Sequence, residues 1–104
     1  MGESQTVRPD RFRLVAAVPL LLIRDEQILL LRRANTGYED GNYSIIAGHL
    51  DGDETVYATA AREAREEAAI TVVGRDLNMV GVLQRRAATP TDDERIDFFL
   101  AASR

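Results

Sequence analysis

Residues 48–70 read GHLDGDETVYATAAREAREEAAI, and this stretch decides the fold. Its first part, around Asp51-Gly52-Asp53, has the composition of a turn, after which Asp53 or Thr55 can cap a helix. Residues 56–68 are rich in alanine, arginine and glutamate and contain no glycine or proline. The sequence therefore predicts a turn followed by a helix over Val56–Ala68.

Three glutamates share one face of that predicted helix. At 100° per residue, Glu67 lies about 40° from Glu63 on one side, and Glu66 lies about 60° from it on the other. Like charges at this spacing cost a few tenths of a kcal/mol, so the cluster makes sense if it holds a hard cation such as Mg²⁺, which prefers oxygen ligands. On geometry alone, a solvated charged face remains the favoured interpretation.

The wider spacing resembles the Nudix box, which reads Gly, five residues, Glu, seven residues, Arg-Glu, an aliphatic residue, any residue, Glu-Glu, any residue, Gly and an aliphatic residue. Six positions match in register: Gly48, Glu54, Arg62, Glu63, Glu66 and Glu67. Two positions depart from the pattern, because Ala69 stands where glycine is expected and the aliphatic position is the small Ala64. The resemblance covers residues 15–70 closely and the later strands loosely.

This resemblance implies both a fold and a metal site. The fold is an α/β class, a Nudix-type α/β/α sandwich on a mixed β-sheet, whereas periodicity alone supports only a mixture of α and β. The implied metal-binding and catalytic carboxylates are Glu63, Glu66 and Glu67, with the Gly48 carbonyl as a further ligand, and the implied cofactor is Mg²⁺ or Mn²⁺. A supporting pair that holds the loop against the helix is implied for the remaining two positions, Glu54 and Arg62.

The resemblance also implies an activity. We expect a Mg-dependent, MutT-like Nudix pyrophosphohydrolase that cleaves the diphosphate linkage of a nucleoside diphosphate joined to another moiety. The first alternative is a Nudix-like sensor domain that binds a nucleotide without turnover, although a pure binder has no need of three carboxylates together. The second alternative is an isomerase with the same fold, which no residue of the sequence specifically indicates.

Other parts of the chain predict strands and loops. The predicted strands are 12–23, 28–33, 43–47, 70–73, 80–86 and 95–101, the first two forming a hairpin. Pro19 indicates a bulge or an edge position in the first strand, because proline cannot donate to the ladder. Arg32, Arg33 and Tyr38 border the loop before the box and are candidate contacts for the substrate.

The domain boundaries follow from the same reading. Residues 1–10 are polar and are interpreted as a flexible N-terminal tail, with the Nudix domain over 11–104. Family members commonly continue with another strand and a C-terminal helix, so we expect a domain that is short at its C-terminus and lacks them. A homodimer would then cover the exposed strand edge.

Composition excludes several partners. The net charge is −4 and all 13 basic residues are arginine, without a basic stripe that would bind duplex nucleic acid. The chain has no cysteine, which excludes disulfides and thiolate metal sites. Its longest apolar run, residues 14–23, is too short for a membrane span. We therefore expect a cytoplasmic enzyme that acts on a small nucleotide-like diphosphate, with no membrane partner.

Overall fold

The structure is a computed structural model that describes residues 11–32 and 41–103. Seven strands and one α-helix follow one another in these ranges. The first five strands are β1 (Val15–Arg24), β2 (Gln27–Ile28), β3 (Leu31–Arg32), β4 (Tyr43–Ser44) and β5 (Ile46–His49). They are followed by α1 (Val56–Ala68), a 3₁₀ turn (Gly74–Asp76), β6 (Asn78–Arg85) and β7 (Arg95–Ser103).

The larger sheet is mixed, as predicted. Its strands run in the order β2-β1-β7-β6, and β5 pairs with β1 as well. The β1–β7 pair is parallel, and the β1–β2, β1–β5 and β6–β7 pairs are antiparallel. The predicted hairpin is confirmed by the pairing of Ile23 with Ile28, whereas β3 leaves this sheet and pairs with β4.

The hydrophobic core lies between α1 and one face of this sheet. Side chains alternate between the two faces of a strand, so alternate residues of β1 and β7 lie on the face that the helix covers. The helix contributes Ala60 and Ala64, both fully buried. The strands contribute buried aliphatic side chains: Val18, Leu20, Leu22, Ile46, Leu100 and Ala102. The small alanines let the helix backbone approach the sheet closely, and the mixed α/β class is confirmed.

Pro19 lies in the central strand, so the prediction of an edge position or a bulge was wrong. It is buried and pairs with Ala47 of β5 on one side. On the other side, the recorded β1–β7 register passes from Ala17 to Leu20 with an unchanged offset, which leaves out Pro19 and its neighbour. Proline has no N–H group to donate, and the β1–β7 pairing is interrupted at this position. The strand contains no bulge there, because no extra residue is inserted.

Two further strand predictions need correction. Residues 70–73 form no strand, although Ile70 and Val72 pack against the core, so their apolar character reflects burial rather than ladder pairing. The single strand predicted over 43–47 is divided into β4 and β5, which belong to different sheets, and β5 continues to His49, which pairs with Ala17. Gly48 is therefore held in a strand beside β1 and not in a loop.

Strand β6 forms one edge of the described sheet and is exposed along its whole length. Val80, Val82 and Leu83 are each more than half exposed, at 58%, 53% and 51%. Such an apolar edge favours association, whereas β7, the C-terminal strand, is itself paired on both sides.

Candidate active site on the helix and the adjoining strands

The helix that carries the acidic residues has a defined beginning and end. Thr55 is its N-cap, and the Thr55 side chain accepts a hydrogen bond of 3.0 Å from the Ala58 N–H. At the other end, Ala69 adopts the left-handed conformation, with φ 55° and ψ 34°, and its N–H donates to the Arg65 carbonyl. Because both ends are capped, the register of the glutamates between them is fixed.

Arg62 binds the loop before the helix to the helix itself. Its Nε and Nη2 atoms donate to the two carboxylate oxygens of Glu54 at 2.8 and 3.0 Å, a two-pronged contact. The Thr59 hydroxyl donates to Glu54 at 2.8 Å, and Arg62 also reaches the His49 carbonyl at 3.3 Å. These contacts are the ones that a supporting role for Arg62 and Glu54 requires.

The electrostatics of this pair agree with the contacts. The hydrogen bond from Arg62, followed by that from Thr59, lowers the pKa of Glu54 to about 2. The same pairing with Glu54 raises the pKa of Arg62 above its ordinary value. Both groups therefore stay charged at every physiological pH, and the loop remains attached to the helix.

Glu63 and Glu67 meet beside Gly48. Glu63 has a side chain only 12% exposed, accepts a hydrogen bond of 2.6 Å from Arg62, and packs on the Gly48 backbone. A Cβ atom at position 48 would overlap the Glu63 side chain, so only glycine leaves room for this approach. The Glu67 carboxyl group lies close enough to that of Glu63 and to the Ala47 backbone for both to shift its pKa.

Partial desolvation and the interaction with the Glu63 carboxyl group raise the pKa of Glu67 to about 8. Arg62 balances the charge of Glu63, and a second full charge on Glu67 requires a further positive counterpart. The pair and the adjoining Gly48 backbone thus present hard oxygen atoms, the donor type that Mg²⁺ selects. This donor set fits a divalent cation.

Glu66 stands apart from the pair. Its side chain is 54% exposed and contacts Arg62 Nη1 at 3.5 Å. Within residues 11–32 and 41–103, no group of three or more acidic or histidine side chains converges as a metal site would require. The structure therefore brings two of the three predicted carboxylates together and leaves Glu66 on the solvent side.

The predicted substrate contacts are only partly visible. Arg32 lies exposed on β3, opposite Tyr43 of β4. Arg33 and Tyr38 lie outside the described residues.

Sequence reasoning missed a groove that opens beside Glu67. Its volume is about 480 Å³, within the usual range for ligand sites. Apolar and small side chains contribute to its wall, and three charged residues from β6 and β7 join Glu67 there: Arg85, Arg95 and Asp97. Another cavity of about 420 Å³, at the β1–β2 hairpin, is lined by no acidic side chain. Only the first of these two adjoins the carboxylate pair.

The charged residues of the groove contact one another. Asp97 is 5% exposed and lies between the two arginines, with Arg85 Nε at 3.1 Å and Arg95 Nη2 at 3.8 Å. Arg85 and Arg95 are direct cross-strand partners. The signal in the sequence was the alternation along 95–99, which places Asp97 and Phe99 on one face. This alternation does not indicate which strand lies beside Asp97 and Phe99.

Comparison with known proteins agrees with this fold. The sequence profile described as the NUDIX domain matches residues 13–103, and the chain belongs to that family. A search of curated proteins found no match. Within the described ranges, no helix is long and apolar enough to cross a membrane.

Solved structures similar to this one are members of the same family. A MutT/nudix family protein from Enterococcus faecalis matches at TM-score 0.79 and 15% identity, covering 98% of this chain and 41% of that one. A MutT protein from Methanosarcina mazei Go1 matches at 0.67 and 25%, covering 85% and 62%. The NUDIX domain of Shewanella oneidensis NrtR, solved with ADP ribose, matches at 0.73 and 18%, covering 99% and 69%. The chain thus spans less than two thirds of the first two proteins.

Proposed function

We propose that this NUDIX domain is a Mg²⁺-dependent pyrophosphohydrolase that cleaves the diphosphate linkage of a nucleotide-like substrate. The observation that carries the proposal is the contact between the Glu63 and Glu67 carboxyl groups against Gly48, with the raised pKa of Glu67. Such a carboxylate pair costs free energy in the folded protein, and a divalent cation would offset that cost. Strongly perturbed acids beside a groove are typical of catalytic sites.

Glu63 and Glu67 would hold the cation, together with the Gly48 carbonyl and with Glu66 after a change of its exposed side chain. A bound Mg²⁺ would neutralise charge on the diphosphate and lower the pKa of a water molecule. Glu67 lies where the site meets the groove, and a bound cation would favour its charged form, so it is placed to accept a proton from an attacking water. Arg62 and Glu54 keep Glu63 in place, which preorganises the site.

The proposal of a nucleotide-like substrate rests on the groove and on one relative. The groove combines apolar side chains, which can pack on a flat ring, with arginines, which can bind phosphate oxygens. The similar NUDIX domain from Shewanella oneidensis was solved with ADP ribose, a nucleoside diphosphate linked to a sugar. Arg32 and, outside the described residues, Arg33 and Tyr38 remain proposed contacts for the substrate.

The test is hydrolysis of a substrate panel by the purified chain. Nucleoside triphosphates, nucleotide sugars, ADP-ribose and dinucleoside polyphosphates are incubated with Mg²⁺ or Mn²⁺, and products are separated by ion-exchange chromatography. We expect cleavage of at least one diphosphate linkage, abolished by a chelator and restored by excess Mg²⁺. Undiminished cleavage after complete chelation would contradict the metal requirement, and an inactive panel would contradict the proposed reaction.

A nucleotide sensor without turnover is the second candidate. The separation of Glu66 from the carboxylate pair favours it, because a site of two acids holds a cation more weakly than a site of three. Calorimetry with the same panel distinguishes the two functions. A sensor binds a nucleotide with micromolar affinity and leaves it intact over hours, whereas a hydrolase converts it.

A further inference from the structure

The wall of the groove that β6 and β7 form carries two arginines and one acidic residue. Arg85 and Arg95 face each other across β6 and β7, and like charges directly opposite in a sheet are destabilising. Asp97 contacts both and offsets one of the two charges. A net positive charge therefore remains on this wall of the groove.

The hydrogen-bonding capacity of the two arginines is also incompletely used. Arg95 Nε is buried and has no hydrogen-bond partner among the described residues. Arg85 donates to Asp97 through Nε only, and its side chain is 51% exposed, so the far end of its guanidinium group remains accessible. The exposed end of the Arg85 guanidinium group is therefore the part of this pair that an anion in the groove can reach.

Asp97 gives the arginines a fixed position. Its side chain is only 7% exposed, and it holds Arg85 Nε at 3.1 Å. A guanidinium group held in place loses less conformational freedom when it binds an anion than one on a free surface. The planar fork of arginine matches the oxygens of phosphate.

We propose that Arg85 and Arg95, positioned by Asp97, bind a phosphate group of the substrate other than the linkage held at Glu63 and Glu67. This inference rests on the proposed function for the location of that linkage. It specifies the substrate class: a nucleotide with an additional phosphate, such as a triphosphate, binds better than a matched nucleotide without it. The groove thus distinguishes substrates by the charge of a phosphate group that lies outside the cleaved linkage.

A matched pair of ligands tests this preference without requiring turnover. The α,β-methylene analogues of a nucleoside triphosphate and of the corresponding diphosphate differ by one phosphate and resist cleavage at the bridged position. Calorimetry with Mg²⁺ should show the triphosphate analogue binding about tenfold more tightly, the scale of a charge-assisted hydrogen bond. Equal affinities for the two analogues would overturn the proposal.

Variants then assign the preference to the arginines. Arg85→Gln should reduce the ratio of the two affinities to near one, and Arg85→Lys, which keeps the charge, should retain part of it. Arg86→Gln is the control, because Arg86 is the exposed neighbour that follows β6 and does not line the groove. An unchanged ratio in a folded Arg85→Gln protein would overturn the assignment, as would an equal loss in Arg86→Gln.

The two proposals fail in different ways. If the panel shows no hydrolysis while the triphosphate preference exists and depends on Arg85, the proposed function fails and the anion site stands. If hydrolysis occurs but the analogues bind equally, the enzyme stands and this inference fails. A circular dichroism spectrum and melting temperature for each variant exclude unfolding as the cause of lost binding.

Discussion

Replacing Ala69 by glycine should stabilise the protein, because Ala69 ends the helix in a conformation that suits glycine. Its φ of 55° is positive, and the left-handed region costs a residue with a Cβ atom about 1–2 kcal/mol. Glycine loses more backbone entropy than alanine on folding, and this loss reduces the gain in stability by about 0.4–1 kcal/mol. The Ala69 side chain is exposed, so removing its methyl group leaves no cavity. We expect a net gain of about 0.5–1 kcal/mol in the free energy of unfolding.

The assay is thermal unfolding followed by circular dichroism, with urea unfolding as a second measure. For a domain of this size, the expected gain raises Tm by about 3–6 °C. The control is Ala61→Gly in the middle of the helix, where glycine should lower stability by about 1 kcal/mol. Opposite signs at the two positions would support the reasoning. A lower Tm for Ala69→Gly, or equal losses at both positions, would refute it.

Three further predictions concern the site. The stabilisation from the lowered pKa of Glu54 is complete above its ordinary value of 4.5 and is lost as pH falls toward about 2, so Glu54→Gln should flatten thermal stability between those values. The stabilisation from the proton on Glu67 is complete below pH 4.5 and is lost as pH rises through about 8. The gain in Tm from added Mg²⁺ should therefore grow over that pH range. Differential scanning fluorimetry measures this gain. Gly48→Ala should displace Glu63 and reduce turnover about a hundredfold, whereas Gly52→Ala, where a Cβ atom meets nothing within 4 Å, should retain it. Stability independent of pH in either window, or equal activity of the two alanine variants, would contradict these expectations.

The helix and the positions of its acidic residues were accessible from the sequence because they depend on local spacing. The helix over Val56–Ala68 was predicted with the bounds that the structure shows, since composition, cap and the absence of breakers agree. The spacing of Glu54 and Arg62 likewise anticipated their pairing. The cap position at Ala69 was also anticipated as a site that favours glycine.

The groove and some strands were not accessible, because they depend on contacts between distant segments. Arg85 and Asp97 are twelve residues apart, and only the β6–β7 register brings them together. The apolar residues 70–73 predicted a strand because periodicity does not distinguish a buried irregular segment from a short strand. Pro19 was assigned to a bulge or an edge position because the pairing partners of a central strand cannot be read from its own sequence.

The most direct test of the account is the turnover number of Glu67→Gln compared with that of the wild-type chain at saturating Mg²⁺ and substrate. This substitution keeps the size of the side chain and removes the charge beside Glu63. Glu26→Gln, in the exposed β1–β2 turn, is the matched control. The account predicts that kcat falls about a hundredfold or more for Glu67→Gln, with the fold intact, and stays at the wild-type value for the control. A Glu67→Gln protein that turns over substrate at the wild-type rate would contradict the assignment of catalysis to this carboxylate pair.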